Sequence, residues 1–120
     1  MGTPPQWAVE IKMARAFGDN AKLDGTYLKD LLSPYSQDHS ALGDAVKLAD
    51  SAFTCRKAVL VYGFDYKERP LLPAMEALEL LMEPAARIGP AAVAAFSDLV
   101  HPVHAACAVY AWEVFAHPDV

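Results

Sequence analysis

The chain has 120 residues, of which 54% are apolar, 21% charged and 10% aromatic, enough for one core and against both intrinsic disorder and a disulfide scaffold. Ten Lys and Arg against fifteen Asp and Glu leave a net charge of −5, which weighs against a nucleic-acid partner held by the surface as a whole. Apolar runs such as Ala58 to Phe64 fall far short of the roughly 20 residues of a membrane span, and Met1–Pro5 lacks the features of a signal peptide.

A single domain over residues 1–120, cytoplasmic and without a membrane partner, is therefore expected. Cys55 and Cys107 lie far apart with no CxxC spacing, as do buried thiols in a reducing compartment.

Trp7, Val9, Ile11 and Met13 alternate with Ala8, Glu10 and Lys12, the period of a strand with one apolar face. Gly18-Asp19-Asn20 and Asp24-Gly25 punctuate turns, and Tyr27 to Leu32 predicts a short helix that Ser33-Pro34 ends. Apolar positions from Ala41 to Phe53 recur at helical spacing, predicting a helix over 38–53 capped by Asp38 or Ser40. Ala58 to Phe64 has no polar alternation and reads as the central strand, covered on both faces.

A further helix begins near Pro70, burying Leu71, Leu72, Met75, Leu78, Leu81 and Met82, pointing Glu76, Glu79 and Glu83 outward, and stopping or kinking at Pro84. Residues 85–97 are ambiguous, because the alanines favour helix while Gly89-Pro90 interrupts them. Cys107 to Phe115 reads as a last strand after the loop Val100–His104. The order strand, helix, strand, helix, strand predicts an α/β domain: a small sheet of three or more strands flanked by helices, with an uncovered edge.

Glu10 and Lys12 leave the same face of their strand, separated by roughly 6.5–7 Å of rise. A carboxylate there ligates Mg²⁺ and an ammonium orients a water beside a phosphate; an ordinary solvated strand face carries the same pair. Asp19 in its turn either adds a ligand near Glu10 or simply forms the turn, and Arg15, Lys22 and Lys29 either contact phosphates or keep the surface wet. Asp44 and Lys47 back up the site or pair on a helix surface. His101 and His104 have the spacing of a metal pair, but Pro102 stands between them, no third Cys or His reads as completing a zinc site, and loop histidines commonly bond to backbone. Tyr110 and Trp112 read as core or as cover for the sheet.

Glu10-Ile11-Lys12 closing an apolar strand, followed by loop, helix and a second apolar strand, resembles the PD-(D/E)XK nuclease superfamily, the restriction-endonuclease-like fold. The longer strings Trp7 to Arg15, Leu31 to Tyr35, His101 to His104 and Trp112 to Val114 are similar to actinobacterial proteins of that type, so the likeness runs from about Trp7 to Val114. The resemblance implies a Mg²⁺-dependent cut of DNA phosphodiesters, with Glu10 as metal ligand and Lys12 positioning the water; the residues themselves offer Asp19 as a second metal ligand and Arg15 and Lys22 as contacts to the nucleic acid. In that superfamily an Asp on a preceding strand, after an N-terminal helix, completes the site, and only Met1 to Gln6 precede the motif here. Three expectations stand open: the chain is an N-terminally shortened version of a larger protein, or Asp19 or Asp44 substitutes for that Asp, or the domain is catalytically silent. The silent alternative is an interaction module that uses its open edge and an apolar patch to form a homo-oligomer or to pair with another subunit.

Overall fold

Alternation in the first apolar segment does produce a strand, and the helix and strand signals that follow it assemble into an α/β fold on a mixed five-stranded sheet. The structure, a computed structural model, describes residues 6–101 and 103–115; Met1–Pro5, read above for a signal peptide, and Pro102, between the two histidines, lie outside them. The elements are β1 (Trp7–Ala14), α1 (Tyr27–Leu32), α2 (Ala41–Ala49), β2 (Arg56–Asp65), α3 (Leu72–Ala85), β3 (Arg87–Ile88), β4 (Ala92–Phe96) and β5 (Ala106–Phe115).

β1 runs parallel to β2 from Trp7 opposite Arg56 to Ala14 opposite Gly63. Parallel neighbours need a crossover, which α1 and α2 supply. β5 lies antiparallel on the other side of β2, and β3 and β4 both pair antiparallel to the far side of β5. Beyond Ala85, the last residue of α3, the ambiguous stretch therefore supplies two strands, Arg87–Ile88 and Ala92–Phe96. Gly89, Pro90 and Ala91 stand opposite only Trp112 and Glu113, a bulge at an edge, where a residue without an N–H is tolerated. The alanines follow the ladder offered by β5 against their own helix propensity.

α1 ends as expected, with Ser33 at ψ 131° ahead of Pro34. α2 is shorter at both ends than the 38–53 reading. Its cap is Ser40, fully buried, whose Oγ accepts the Gly43 N–H at 3.0 Å and donates to the Ser33 carbonyl at 2.6 Å. Asp38 sits in a 3-10 turn ahead of it, and His39 at φ 49° breaks the chain direction between them. At the other end the buried Lys57 ammonium reaches the Leu48 carbonyl at 2.9 Å and the Ser51 carbonyl at 3.2 Å, a cation on the helix's negative end.

α3 buries Met75, Leu78 and Met82, and Leu71 just before it, but leaves Leu72 and Leu81 exposed. Glu79 turns inward, because the buried Trp112 Nε1–H needs an acceptor and finds Glu79 at 2.9 Å. Pro84 lies inside the last turn and the helix runs to Ala85 before Ala86 turns extended.

The helices pack on one side of the sheet, over Val59 and Val61 of β2 and Ala108, Trp112 and Val114 of β5. β2 alternates accordingly, with Val59 and Val61 buried and Tyr62 exposed, instead of being covered on both faces. Among the described residues, no helix is long and apolar enough to cross a membrane.

Candidate functional site

Three places bear on function: the Glu10–Lys12 face of β1, the loop cluster beyond the other end of the sheet, and the uncovered sheet face.

Glu10 and Lys12 do leave the same side of β1, with Ala8 and Ala14, and that side faces the helix layer. Lys12 is engaged there. Its ammonium donates to the His39 carbonyl at 2.5 Å and lies 3.6 Å from Asp44 of α2. Asp44 is thus paired with Lys12, a contact across elements that the helix spacing of Asp44 and Lys47 does not show. A cleft of about 730 Å³ opens beside α2, lined by Pro34, His39, Leu42, Asp44 and Lys47 among others.

Asp19 is brought elsewhere. The turn Gly18–Lys22 closes through the Ala21 N–H to the Gly18 carbonyl and the Gly18 N–H to the Lys22 carbonyl, both 2.9 Å, and presents Asp19 to the loop before β5. There His104 Nε2 lies 2.8 Å from Asp19 Oδ1, and His104 Nδ1 lies 2.6 Å from the Tyr66 hydroxyl. A carboxylate only accepts, so Nε2–H donates to Asp19, while the direction of the bond between Nδ1 and the Tyr66 hydroxyl follows from whether Nδ1 also carries a hydrogen. The Tyr66 hydroxyl also faces the Phe17 carbonyl at 3.3 Å. His104 is buried, stacked between Phe64 and His101 with centroids 4.5 Å away on each side. His101 Nδ1 accepts the backbone N–H groups of Val103 and His104.

The hydrogen bond from His104 holds the exposed Asp19 carboxyl below its ordinary value, and Arg15, at 3.3 Å, acts in the same direction. Burial pushes the Tyr66 phenol up. Among the described residues, Asp19, His101 and His104 are the cluster of three potential ligands, their ligand atoms all within 4.8 Å of one another. Glu10 is not in it. Lys12 and Arg15 each face a carboxylate, and they do so at different clusters.

The uncovered face carries Trp7, Val9, Ile11 and Met13 of β1, exposed to 41%, 45%, 60% and 39%, the reverse of what their apolar character would place inside. Register puts Leu60 and Tyr62 of β2 beside Ile11 and Met13, and Ala111 and Val109 of β5 beside those in turn. One end of the face is polar: Arg56 stacks 4.3 Å over Trp7 and grips Glu113 through two bonds of 2.9 Å and 2.6 Å. A shallow groove of about 320 Å³ crosses that end, lined by Trp7, Ala58, Pro90, Ala111 and Phe115.

Sequence reasoning named Asp19, His101 and His104 but did not join them, and it missed Tyr66, a single Tyr in a polar loop that carries no signal. The open face was visible as the apolar side of Trp7–Met13, though nothing in the pattern says which side the helices take. No family model, no curated protein and no solved structure matches the chain.

Proposed function

We propose that this chain is a self-associating module, catalytically silent, whose uncovered sheet face packs against the same face of a second copy. The observation that carries this reading is the apolar row Trp7, Val9, Ile11 and Met13, lying in register with Leu60 and Tyr62 on a side that, among the described residues, no helix covers. Eight residues at about 3.3 Å rise across four strand positions about 4.8 Å apart make a face on the order of 500 Å² in projection. That is near the upper end of the roughly 300–600 Å² of the largest patch on a typical monomer, which is often functional, and side-chain relief raises it toward the roughly 800 Å² per partner of a standard interface.

A second copy is the occupant the charges favour. The chain carries −5 overall, yet the charged residues on this face, Arg56, Glu113 and Arg87, gather at one end, and Arg56 and Glu113 neutralise each other. Two such faces meet without acidic repulsion, in the aligned sheet-on-sheet packing that leaves about 10 Å between sheets.

The restriction-endonuclease-like reading has less to stand on. It needs Glu10, Asp19 and Lys12 around one Mg²⁺ and Arg15 and Lys22 along one DNA strand; instead Asp19 and Lys12 are bound into separate clusters, and Arg15 is paired with Asp19.

Light scattering on the purified chain tests the proposal. A dimer is expected, converted to monomer by Val9→Glu with Ile11→Lys while the far-ultraviolet circular dichroism stays unchanged. A monomer at every accessible concentration, or plasmid nicking with Mg²⁺ or Mn²⁺ that disappears in Glu10→Ala and Lys12→Ala, overturns it.

A further inference from the structure

We infer that Asp19, His101 and His104 form a binding site for a first-row divalent metal ion of the zinc class, independent of the sheet-face pairing. Two imidazoles and a carboxylate are a donor set that suits Zn²⁺ and its neighbours and not the hard, oxygen-seeking Mg²⁺. Around a four-coordinate zinc with bonds of about 2.0–2.2 Å, ligand atoms stand roughly 3.3 Å apart. The three ligand atoms here already lie within 4.8 Å of one another, the closest two, on His104 and Asp19, at 2.8 Å. Asp19 and His101 are exposed and can adjust by the remaining distance, while His104 is fixed by burial and by its stacking on Phe64.

The surroundings of His104 are those of a metal ligand. To coordinate through Nε2, the neutral ring must carry its hydrogen on Nδ1, and something must accept it there. Tyr66 does so at 2.6 Å, because its own hydrogen can turn to the Phe17 carbonyl at 3.3 Å. The hydroxyl therefore serves either tautomer, donating to a bare Nδ1 and accepting from one that carries a hydrogen. With the ion on Nε2 the ring hydrogen stands on Nδ1.

Two features set the affinity. Arg15 lies 3.3 Å from the same Asp19 oxygen that faces His104, so it occupies the place of the positive charge that an ion would bring. His101 spends its Nδ1 lone pair on the Val103 and His104 N–H groups at 3.0 Å and 3.1 Å, which leaves its hydrogen on Nε2. Its ring must turn and release those groups, so His104 and Asp19 are the preset pair and His101 is recruited by the ion.

The test is titration of the full chain, stripped with a chelator, with Zn²⁺ by calorimetry and with Co²⁺ by visible absorption. One ion per chain is expected, with the intense d–d bands of a low-coordinate cobalt site and no competition from millimolar Mg²⁺. Asp19→Asn and His101→Ala, both at exposed positions, each lower the affinity by at least about tenfold, and Arg15→Gln raises it. Tyr66→Phe lowers it by about 10–100-fold and shifts the cobalt spectrum, a change that a purely structural role for the hydroxyl does not produce. Absence of uptake by a chain whose circular dichroism is native, uptake unaltered by both Asp19→Asn and His101→Ala, or equal competition by Mg²⁺ overturns the site.

Discussion

Lys12 and Asp44 stand 3.6 Å apart, nitrogen to oxygen, where β1 meets α2, and the Lys12 ammonium has the His39 carbonyl as a second acceptor. An ammonium so engaged ties the first strand to the helix layer. Asp44 is buried, so removing its partner leaves a carboxylate short of a counter-charge. Lys12→Met is expected to cost about 1–3 kcal/mol in urea unfolding, and Lys12→Met combined with Asp44→Leu to cost less than the sum of the single changes. Equal stability of wild type and Lys12→Met would mean that the pair holds nothing together.

Glu113 titrates against Arg56. The bidentate hydrogen bond from Arg56, with its charge, holds the Glu113 carboxyl below the ordinary 4.5, and the same contact raises Arg56. A lowered folded-state pKa means that the pair's contribution is fully present above that ordinary, unfolded value and is lost as pH falls through the lowered folded value. Thermal melts between about pH 6 and pH 2 should show a shallower acid-side loss in Glu113→Gln than in wild type. Identical slopes would show the pair to be energetically silent, as many exposed pairs are.

Much of the fold was legible and its sidedness was not. β1, α1 and β5 lie within a residue or so of their sequence-read bounds, because alternation and the Ser33-Pro34 stop are local signals. Residues 85–97 were not legible, since the ladder that makes Ala92–Phe96 a strand is offered by β5, which comes later in the chain. Glu79 read as outward for a similar reason: the Trp112 indole that draws it in belongs to another element. At the candidate sites, His101 and His104 read chiefly as loop histidines bonded to backbone, as His101 is, and Asp19 joins them only through the turn at Gly18–Lys22, which no local pattern connects to their loop.

Gly63 is where β2 approaches the start of α3. A Cβ built there would stand 2.6 Å and 2.7 Å from the Leu71 methyls and 3.2 Å from the Ala14 carbonyl oxygen. Leu71 is buried and its N–H is held by Asp65 at 2.9 Å, so it yields little. Gly63→Val is expected to destabilise by about 1–3 kcal/mol, read as a fall in the urea midpoint. An unchanged midpoint would mean that the helix start moves aside freely.

The turn that delivers Asp19 to His104 holds a residue in an unfavourable backbone state. Ala21 sits at φ 64°, the left-handed region, while its N–H donates to the Gly18 carbonyl at 2.9 Å and Asn20 Oδ1 accepts the Lys22 N–H at 3.0 Å. For an L-residue with a Cβ that state costs about 1–2 kcal/mol. Glycine removes the cost but gives back about 0.4–1 kcal/mol through a more disordered unfolded chain. Ala21→Gly should therefore stabilise by roughly 0.5–1 kcal/mol, and Ala21→Val, whose branched Cβ crowds this region further, should destabilise. Urea midpoints of the two variants should move in opposite directions from wild type. Movement in the same direction would show that the Gly18–Lys22 turn relaxes to a right-handed geometry in solution, and the link from Asp19 to His104 would relax with it.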